Sequence, residues 1–157
     1  MIRPMTASDK PAVLDLIEAT GFFRREEIQV AEELVDLYLD QPGQKDYGIV
    51  VIEDEAGAVA GYLTYGPTPM AVGTYDLYWM AVHPRYQGKG YGRRLVKWLE
   101  DYVVGEGGRL LIIETSSTPQ YEPTRRFYLG LKYIEVARIP DYYLPGDDRV
   151  IYSKSFR

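Results

Sequence analysis

The densest chemical signal in the sequence is the run His83-Pro84-Arg85-Tyr86-Gln87-Gly88-Lys89-Gly90-Tyr91-Gly92-Arg93-Arg94. Three alternating glycines let the backbone turn tightly and bring successive N–H groups onto one point. The run follows Leu77-Tyr78-Trp79-Met80-Ala81-Val82, which reads as a buried strand, and leads into Leu95, Val96, Leu99 and Val103 at helical spacing. The loop therefore opens a helix, and the positive end of the helix dipole lies at the same point. Such a point suits a phosphate, and Lys89, Arg93 and Arg94 add local positive charge.

Three kinds of phosphate loop compete for this pattern. A nucleotide P-loop needs Ser or Thr directly after Gly-Lys to hold Mg²⁺, and Gly90 stands there instead. A dinucleotide loop has the spacing GxGxxG early in a mostly parallel sheet, whereas Gly88, Gly90 and Gly92 give GxGxG late in the chain. The third is an acyl-coenzyme A loop. Away from the loop, Glu114 stands out because a carboxylate in a mostly apolar strand either faces a cleft or is paired. His83, the single histidine, precedes Pro84 at a strand exit and reads as structural.

The elements that must position these groups follow from periodicity. Met1 to Pro4 suits a short edge strand, where proline is tolerated. A helix through Val13, Leu14 and Ile17 ends at Gly21, and a second is expected over about 25–40, with Glu26, Glu27, Glu32, Glu33 and Asp36 on a solvated face. Strands are expected over 47–52 and 59–65 with a turn at 54–57, then over 75–82. After the glycine loop come a helix to about Val104, a buried strand over 109–115, a short helix over 122–129, and closing strands near 133–139 and 150–155. A strand–helix–strand crossover makes the strands on either side of the loop helix parallel. The expected fold is α/β (α+β): a mixed, mostly antiparallel sheet of six to seven strands flanked by four helices. At 157 residues the expectation is one domain over 1–157.

Composition narrows the partners. A formal net charge of −5 argues against nucleic acid, which is bound through excess Lys and Arg. No apolar run is long enough to span a membrane and no leader is visible, so a soluble, cytoplasmic protein is expected, without membrane partners. The absence of cysteine excludes an enzyme-cysteine intermediate and thiolate metal sites, and no metal is expected.

Gln87-Gly88-Lys89-Gly90-Tyr91-Gly92 matches the Gln/Arg-x-x-Gly-x-Gly/Ala signature of the GCN5-related N-acetyltransferase (GNAT) superfamily, and the order of elements is similar to that family's over essentially the whole chain. The resemblance implies that Gln87, Gly88, Lys89, Gly90, Tyr91, Gly92 and Arg93 surround the pyrophosphate of acetyl-CoA. It also implies that main-chain groups of Met80, Ala81 and Val82 hold the pantetheine arm where the parallel strands splay, with the Met80 N–H polarising the thioester carbonyl. Tyr128 matches the family's general acid. Asp76 stands where histone-acetylating members carry their base, and Glu114 is the second candidate. Tyr142 and Tyr143 fall in a run, Arg138 to Val150, resembling the tyrosine-rich loop that holds the acceptor in protein N-terminal acetyltransferases. Asp147 and Asp148 would suit a cationic acceptor. The family's Asn and Ala ahead of the catalytic tyrosine are replaced by Tyr121 and Thr124, and Arg125 and Arg126 read as surface charge. The expected activity is direct acetyl transfer from acetyl-CoA to a small-molecule or peptide amine, by a monomer or homodimer; the alternative is a non-catalytic acyl-CoA-binding or sensing module.

Overall fold

Apolar residues that recur every second position form strands, and those that recur at three and four form helices. The computed structural model describes residues 1–156. In chain order the elements are β1 (Ile2–Pro4), α1 (Lys10–Thr20), α2 (Arg25–Asp40), β2 (Gly48–Glu53), β3 (Val59–Pro67), β4 (Thr74–Val82), α3 (Tyr91–Gly105), β5 (Leu110–Ser116), α4 (Glu122–Gly130), β6 (Ile134–Leu144) and β7 (Asp147–Ser155). The strands follow the order β1-β2-β3-β4-β5-β7-β6 in a mostly antiparallel sheet whose parallel pair is β4 and β5. The chain groups into two units, Met1–Gly66 with Tyr78–Asp101, and Pro67–Leu77 with the residues from Tyr102 onward.

In the first unit, β1 pairs antiparallel with β2, with Pro4 opposite Val50 on an edge strand. The Thr6 N–H donates to Asp9 at 2.8 Å, and Arg3 donates to both oxygens of the same carboxylate at 2.7 and 2.9 Å. That carboxylate is buried, and the arginine holds its pKa down to about 2. Helix α1 ends where Gly21 turns left-handed. The buried stripes of α1 (Val13, Leu16, Ile17) and α2 (Ala31, Val35) join Ile49, Val51, Tyr62 and Ala81 in one core, with Trp79 edge-on to Phe23 at 5.4 Å. The alternate residues Val50, Ile52 and Leu63 are buried too, and Tyr65 meets Trp98 of α3 edge-on.

In the second unit the parallel ladder runs from Thr74 opposite Leu110 to Leu77 opposite Ile113. Strand β5 then pairs antiparallel with β7 over its whole length. Because neighbours in a strand point to opposite faces, Ile113, Thr115, Val150 and Tyr152 share the buried face, where Tyr152 lies 6.3 Å from Tyr128 of α4. Asp76, Ile112, Glu114, Arg149 and Ile151 share the other.

The C-terminal hairpin corrects one expectation. The tyrosine-rich run is not a loop between strands ending at 139 and resuming at 150: β6 extends to Leu144, β7 begins at Asp147, and Pro145-Gly146 makes the turn. The β6–β7 register shifts between Ile139 and Leu144. Pro140 has no N–H for the ladder, and Asp141 adopts φ 55. Side chains bridge the irregularity instead: the Asp141 N–H donates to Asp148 at 3.0 Å and the Gly146 N–H to Asp141 at 2.7 Å.

Candidate active site

The glycine loop is built by anchors on both sides. His83 donates its N–H to the Ala60 carbonyl at 2.9 Å, and its Nδ1 accepts the Arg85 N–H at 3.1 Å, starting a short 3₁₀ turn. Tyr86 closes that turn by donating its hydroxyl to Asp54 at 2.6 Å, on the β2–β3 turn, and its ring meets Tyr91 edge-on at 5.3 Å. His83 is thus structural, as its position before a proline implied. Gln87 donates its side-chain amide to the Val82 carbonyl at 3.1 Å, tying loop to strand. Gly88 and Gly90 then take φ 76 and 86, a region open to glycine but strained for other residues. A Cβ at either would have nothing within 4 Å. The first intrahelical bond of α3 runs from the Arg94 N–H to the Gly90 carbonyl, so the N–H groups of Tyr91, Gly92 and Arg93 precede it and have no partner within the helix. Lys89 is exposed, and the Arg94 guanidinium lies 5.6 Å from the Tyr91 ring centre. A turn of main-chain donors, bordered by cations at a helix N-terminus, fits a pyrophosphate in charge and hydrogen bonding.

Ahead of the loop, Ala81 is 7% exposed and packs into the α1/α2 core. Strand alternation sends its neighbours Met80 and Val82 to the opposite face, where both are half-buried. All three lie beyond Leu77, the last β4 residue in the parallel ladder. A Cβ on Gly61 would come within 3.0 Å of the Ala81 carbonyl, so β3 and the end of β4 approach closely because residue 61 has no side chain.

The two carboxylates considered as bases sit on one face of the second unit, on adjacent strands. Asp76 is opposite Ile112 in the ladder, two residues from Glu114, a separation of about 8 Å at ordinary strand spacing. Neither carboxylate stands alone. Asp76 accepts the Thr68 hydroxyl at 2.7 Å; Glu114 forms an ion pair with Arg149 of β7. The Arg149 guanidinium lies 4.8 Å from the Tyr142 ring centre, and Tyr142 meets Tyr143 edge-on at 5.0 Å. Burial first, and the Glu114 charge second, push the Tyr143 hydroxyl up to about 12. The fold thus gathers Glu114, Tyr142 and Tyr143 around Arg149, a residue with no role in any sequence motif. The available signal was alternation: Arg149 and Ile151 interrupt buried Val150 and Tyr152, which puts a cation on the Glu114 face.

Tyr128 is 4% exposed, edge-on to Phe127 and Tyr133 and tilted against Tyr152. Burial raises its hydroxyl pKa well above the ordinary phenol value, which keeps the proton on the oxygen. Arg125 is not simple surface charge, because it donates to the Ser116 and Thr118 carbonyls, both at 2.9 Å, and so ties α4 to the end of β5. Arg126 is paired with Glu122 on the exposed side of the helix. Asp147 accepts from Ser116 at 2.5 Å, and Asp148 accepts the Asp141 N–H and faces Arg138 at 3.5 Å. These two carboxylates therefore hold the hairpin in shape. Among the described residues, no group of three or more His, Asp and Glu side chains is placed to hold a metal, and no helix is long and apolar enough to cross a membrane.

A model of the acetyltransferase (GNAT) family matches residues 12–131. A crystal structure from Desulfovibrio desulfuricans, described as an acetyltransferase of the GNAT family, is 43% identical to the chain with a TM-score of 0.92, covering 99% of this chain and 98% of that one. An aminoglycoside 6′-N-acetyltransferase complexed with coenzyme A is 18% identical, with a TM-score of 0.76 and 99% and 96% coverage. The ribosomal-protein-S18-alanine N-acetyltransferase from Escherichia coli is 20% identical, with a TM-score of 0.78 and 99% and 92% coverage. At those identities the last two show a shared fold. No curated protein matches the sequence. With the family model spanning most of its length and a family structure similar from end to end, the chain belongs to the GNAT acetyltransferase family.

Proposed function

We propose that the protein transfers an acetyl group from acetyl-CoA directly to a primary amine, on a small molecule or a peptide. The observation that carries this reading is the loop from Gln87 to Gly92: two left-handed glycines, a turn of main-chain donors and a helix N-terminus in one stretch. Main-chain N–H groups of this stretch hold the pyrophosphate, with Lys89 and Arg93 beside it, and main-chain groups of Met80 to Val82 hold the pantetheine arm. Both units serve one N-acetyltransferase domain, a reading supported by the family match, which covers residues of each. A cytoplasmic setting suits a chain without cysteine, which needs no oxidising compartment.

The neutral amine attacks the thioester carbonyl carbon, and the Met80 N–H stabilises the oxyanion that forms, an effect typically worth about 3 kcal/mol. The C–S bond then breaks, and Tyr128 donates its proton to the departing thiolate. The proton lost by the amine passes to Asp76 or Glu114, directly or through water. Tyr142 and Tyr143 line the acceptor side, with Arg149 fixing Glu114 and the Tyr142 ring. Solved structures named for acetylation of an aminoglycoside, a ribosomal-protein alanine and spermidine share the fold, which supports an amine acceptor.

One set of observations favours the sensing alternative: Tyr128 is buried, and Glu114 and Asp76 both have partners. CoA release from acetyl-CoA, measured over a panel of small amines and N-terminal peptides, decides between the two. Turnover with any amine supports the enzyme; tight coenzyme binding with no turnover across the panel supports the sensor. Failure of CoA to shift the melting temperature at many times any plausible Kd overturns both.

A further inference from the structure

On the face of β5 that carries Glu114, the ladders with β4 and β7 set Asp76 and Glu114 among Thr, Ser, Leu and Ile side chains, and Arg149 is the one cation of those strands there among the described residues. Its Nη2 donates to Glu114, while its Nε is buried with no hydrogen-bond partner among the described residues. Arginine presents its donors as a planar fork that suits a carboxylate, and a buried N–H left unpaired is costly, so Arg149 holds donor capacity that Glu114 does not use. The Tyr142 ring lies against the guanidinium and fixes its plane. The side chains of Arg149 and Glu114 are 24% and 34% exposed, open enough for a ligand to reach both.

We propose that the acceptor is a free α-amino acid, whose carboxylate docks on Arg149 while its amino group goes to Glu114. This rests on the acetyltransferase reading and names its acceptor. Charge decides the choice. Glu114 and Arg149 neutralise each other, and an acceptor bearing only an amine engages Glu114 by taking it from Arg149, which leaves a partly buried cation without a counter-ion. A zwitterion brings both charges: one ion pair within the protein is exchanged for two with the ligand, and no charge is left over. Because Glu114 and Arg149 are in direct contact, the two ligand groups must themselves be close, as they are when amine and carboxylate share one carbon. A polyamine has no carboxylate, and the N-terminal residue of a peptide carries an amide carbonyl in its place. The transfer itself is as above: the amine gives a proton to Glu114 or Asp76, its nitrogen bonds to the acetyl carbon, the C–S bond breaks, and the thiolate takes the Tyr128 proton. The product has lost its ammonium charge, so Glu114 returns to Arg149 and displaces it.

The test measures CoA release from acetyl-CoA with the standard L-amino acids, the α-carboxamides of several of them, spermidine and an N-terminal peptide. For the best amino acid kcat/KM should exceed that of its amide by about 10- to 150-fold, the range for hydrogen bonding to a charged group. The amide's amine is the less basic, so more of it is neutral at a given pH, which biases the comparison against the proposal. In Arg149→Gln the ratio should fall to about one; Arg149→Lys, which keeps the charge without the fork, should leave it between that and wild type. Melting curves and CoA titration confirm that both variants fold. A wild type that acetylates amides, spermidine or peptides as well as any free amino acid overturns the proposal and leaves the acetyltransferase reading standing. A ratio that survives Arg149→Gln overturns the role of Arg149. Calorimetric titration of amino acids into the CoA-bound protein separates binding from chemistry. Binding that Arg149→Gln weakens about tenfold or more, with no turnover of any amine, upholds the amino-acid site and overturns the transfer; neither binding nor turnover overturns both.

Discussion

Replacing Gly90 by Ala separates two ways in which the loop's left-handed backbone can matter. Gly90 has φ 86, and a methyl group there would touch nothing within 4 Å, so the substitution is free of steric conflict and carries only the backbone preference, about 1–2 kcal/mol. Because no neighbour crowds the position, the loop in the free protein is expected to relax to a negative φ rather than hold the strain. Stability should then stay at or slightly above wild type, since Ala also restricts the unfolded chain. The strain reappears when coenzyme A requires the left-handed turn, and 1–2 kcal/mol corresponds to a Kd about 5- to 30-fold weaker. Calorimetric titration with CoA measures that ratio, and thermal melting without ligand measures the other half. Gly43→Ala is the control, at a loop glycine with ordinary φ and nothing within 4 Å; it should leave the Kd unchanged and the melting temperature at or slightly above wild type. An unchanged Kd with a melting temperature lowered by about 2–4 °C for each kcal/mol would mean that the loop is held rigid without ligand. If Gly90→Ala leaves both quantities at wild-type values, the left-handed turn is not part of the coenzyme site and the reasoning is wrong.

Tyr128→Phe keeps the ring packed against Tyr133 and Tyr152, so CoA affinity and fold should be nearly unchanged while kcat falls by about 10²–10⁴, the usual range for losing a general acid; an unchanged kcat assigns the proton to another group. Since burial raises the Tyr128 pKa, its ionisation should not cause an alkaline loss of activity below about pH 10, the ordinary phenol value, which a pH–rate profile checks. Asp76→Asn and Glu114→Gln, compared by kcat over about pH 6–9, identify the base: one should lose turnover with KM for acetyl-CoA unchanged, and equal activity in both assigns the proton to water. Asp9→Asn should cost about 2 kcal/mol in urea melts at about pH 7, because a carboxyl lowered from 3.8 to about 2 stabilises the folded state above its unfolded pKa. That contribution fades as pH falls from about 4 through 2, so variant and wild type should converge in acid.

Much of the fold was legible because single periods rule single elements. The sixteen residues of α2, ending at Asp40, and the hairpin before the loop fall where apolar spacing predicts them, and the crossover through α3 requires the parallel pair that β4 and β5 form. The hairpin of β6 and β7 was not legible in the same way. Pro140, Asp141 and Pro145-Gly146 read locally as a loop, whereas hydrogen bonds to the side chains of Asp141 and Asp148 hold a bulged strand.

By itself the sequence determined the glycine loop, the end of the site proposed to take the coenzyme. A glycine loop at a helix N-terminus acts through main-chain groups, and contiguous residues fix its chemistry. The tertiary structure decided the rest, because side chains from separate strands meet only after the sheet forms. Glu114 and Arg149 are 35 positions apart, and nothing local joins them. The ladder between β5 and β7 puts them on one face, turns a candidate free carboxylate into an ion pair, and stacks Tyr142 on its cation. Tyr128 likewise reads as an ordinary helix tyrosine until Tyr133 and Tyr152 close around it and burial fixes its proton. Local spacing carries main-chain chemistry; long-range register carries the side-chain chemistry.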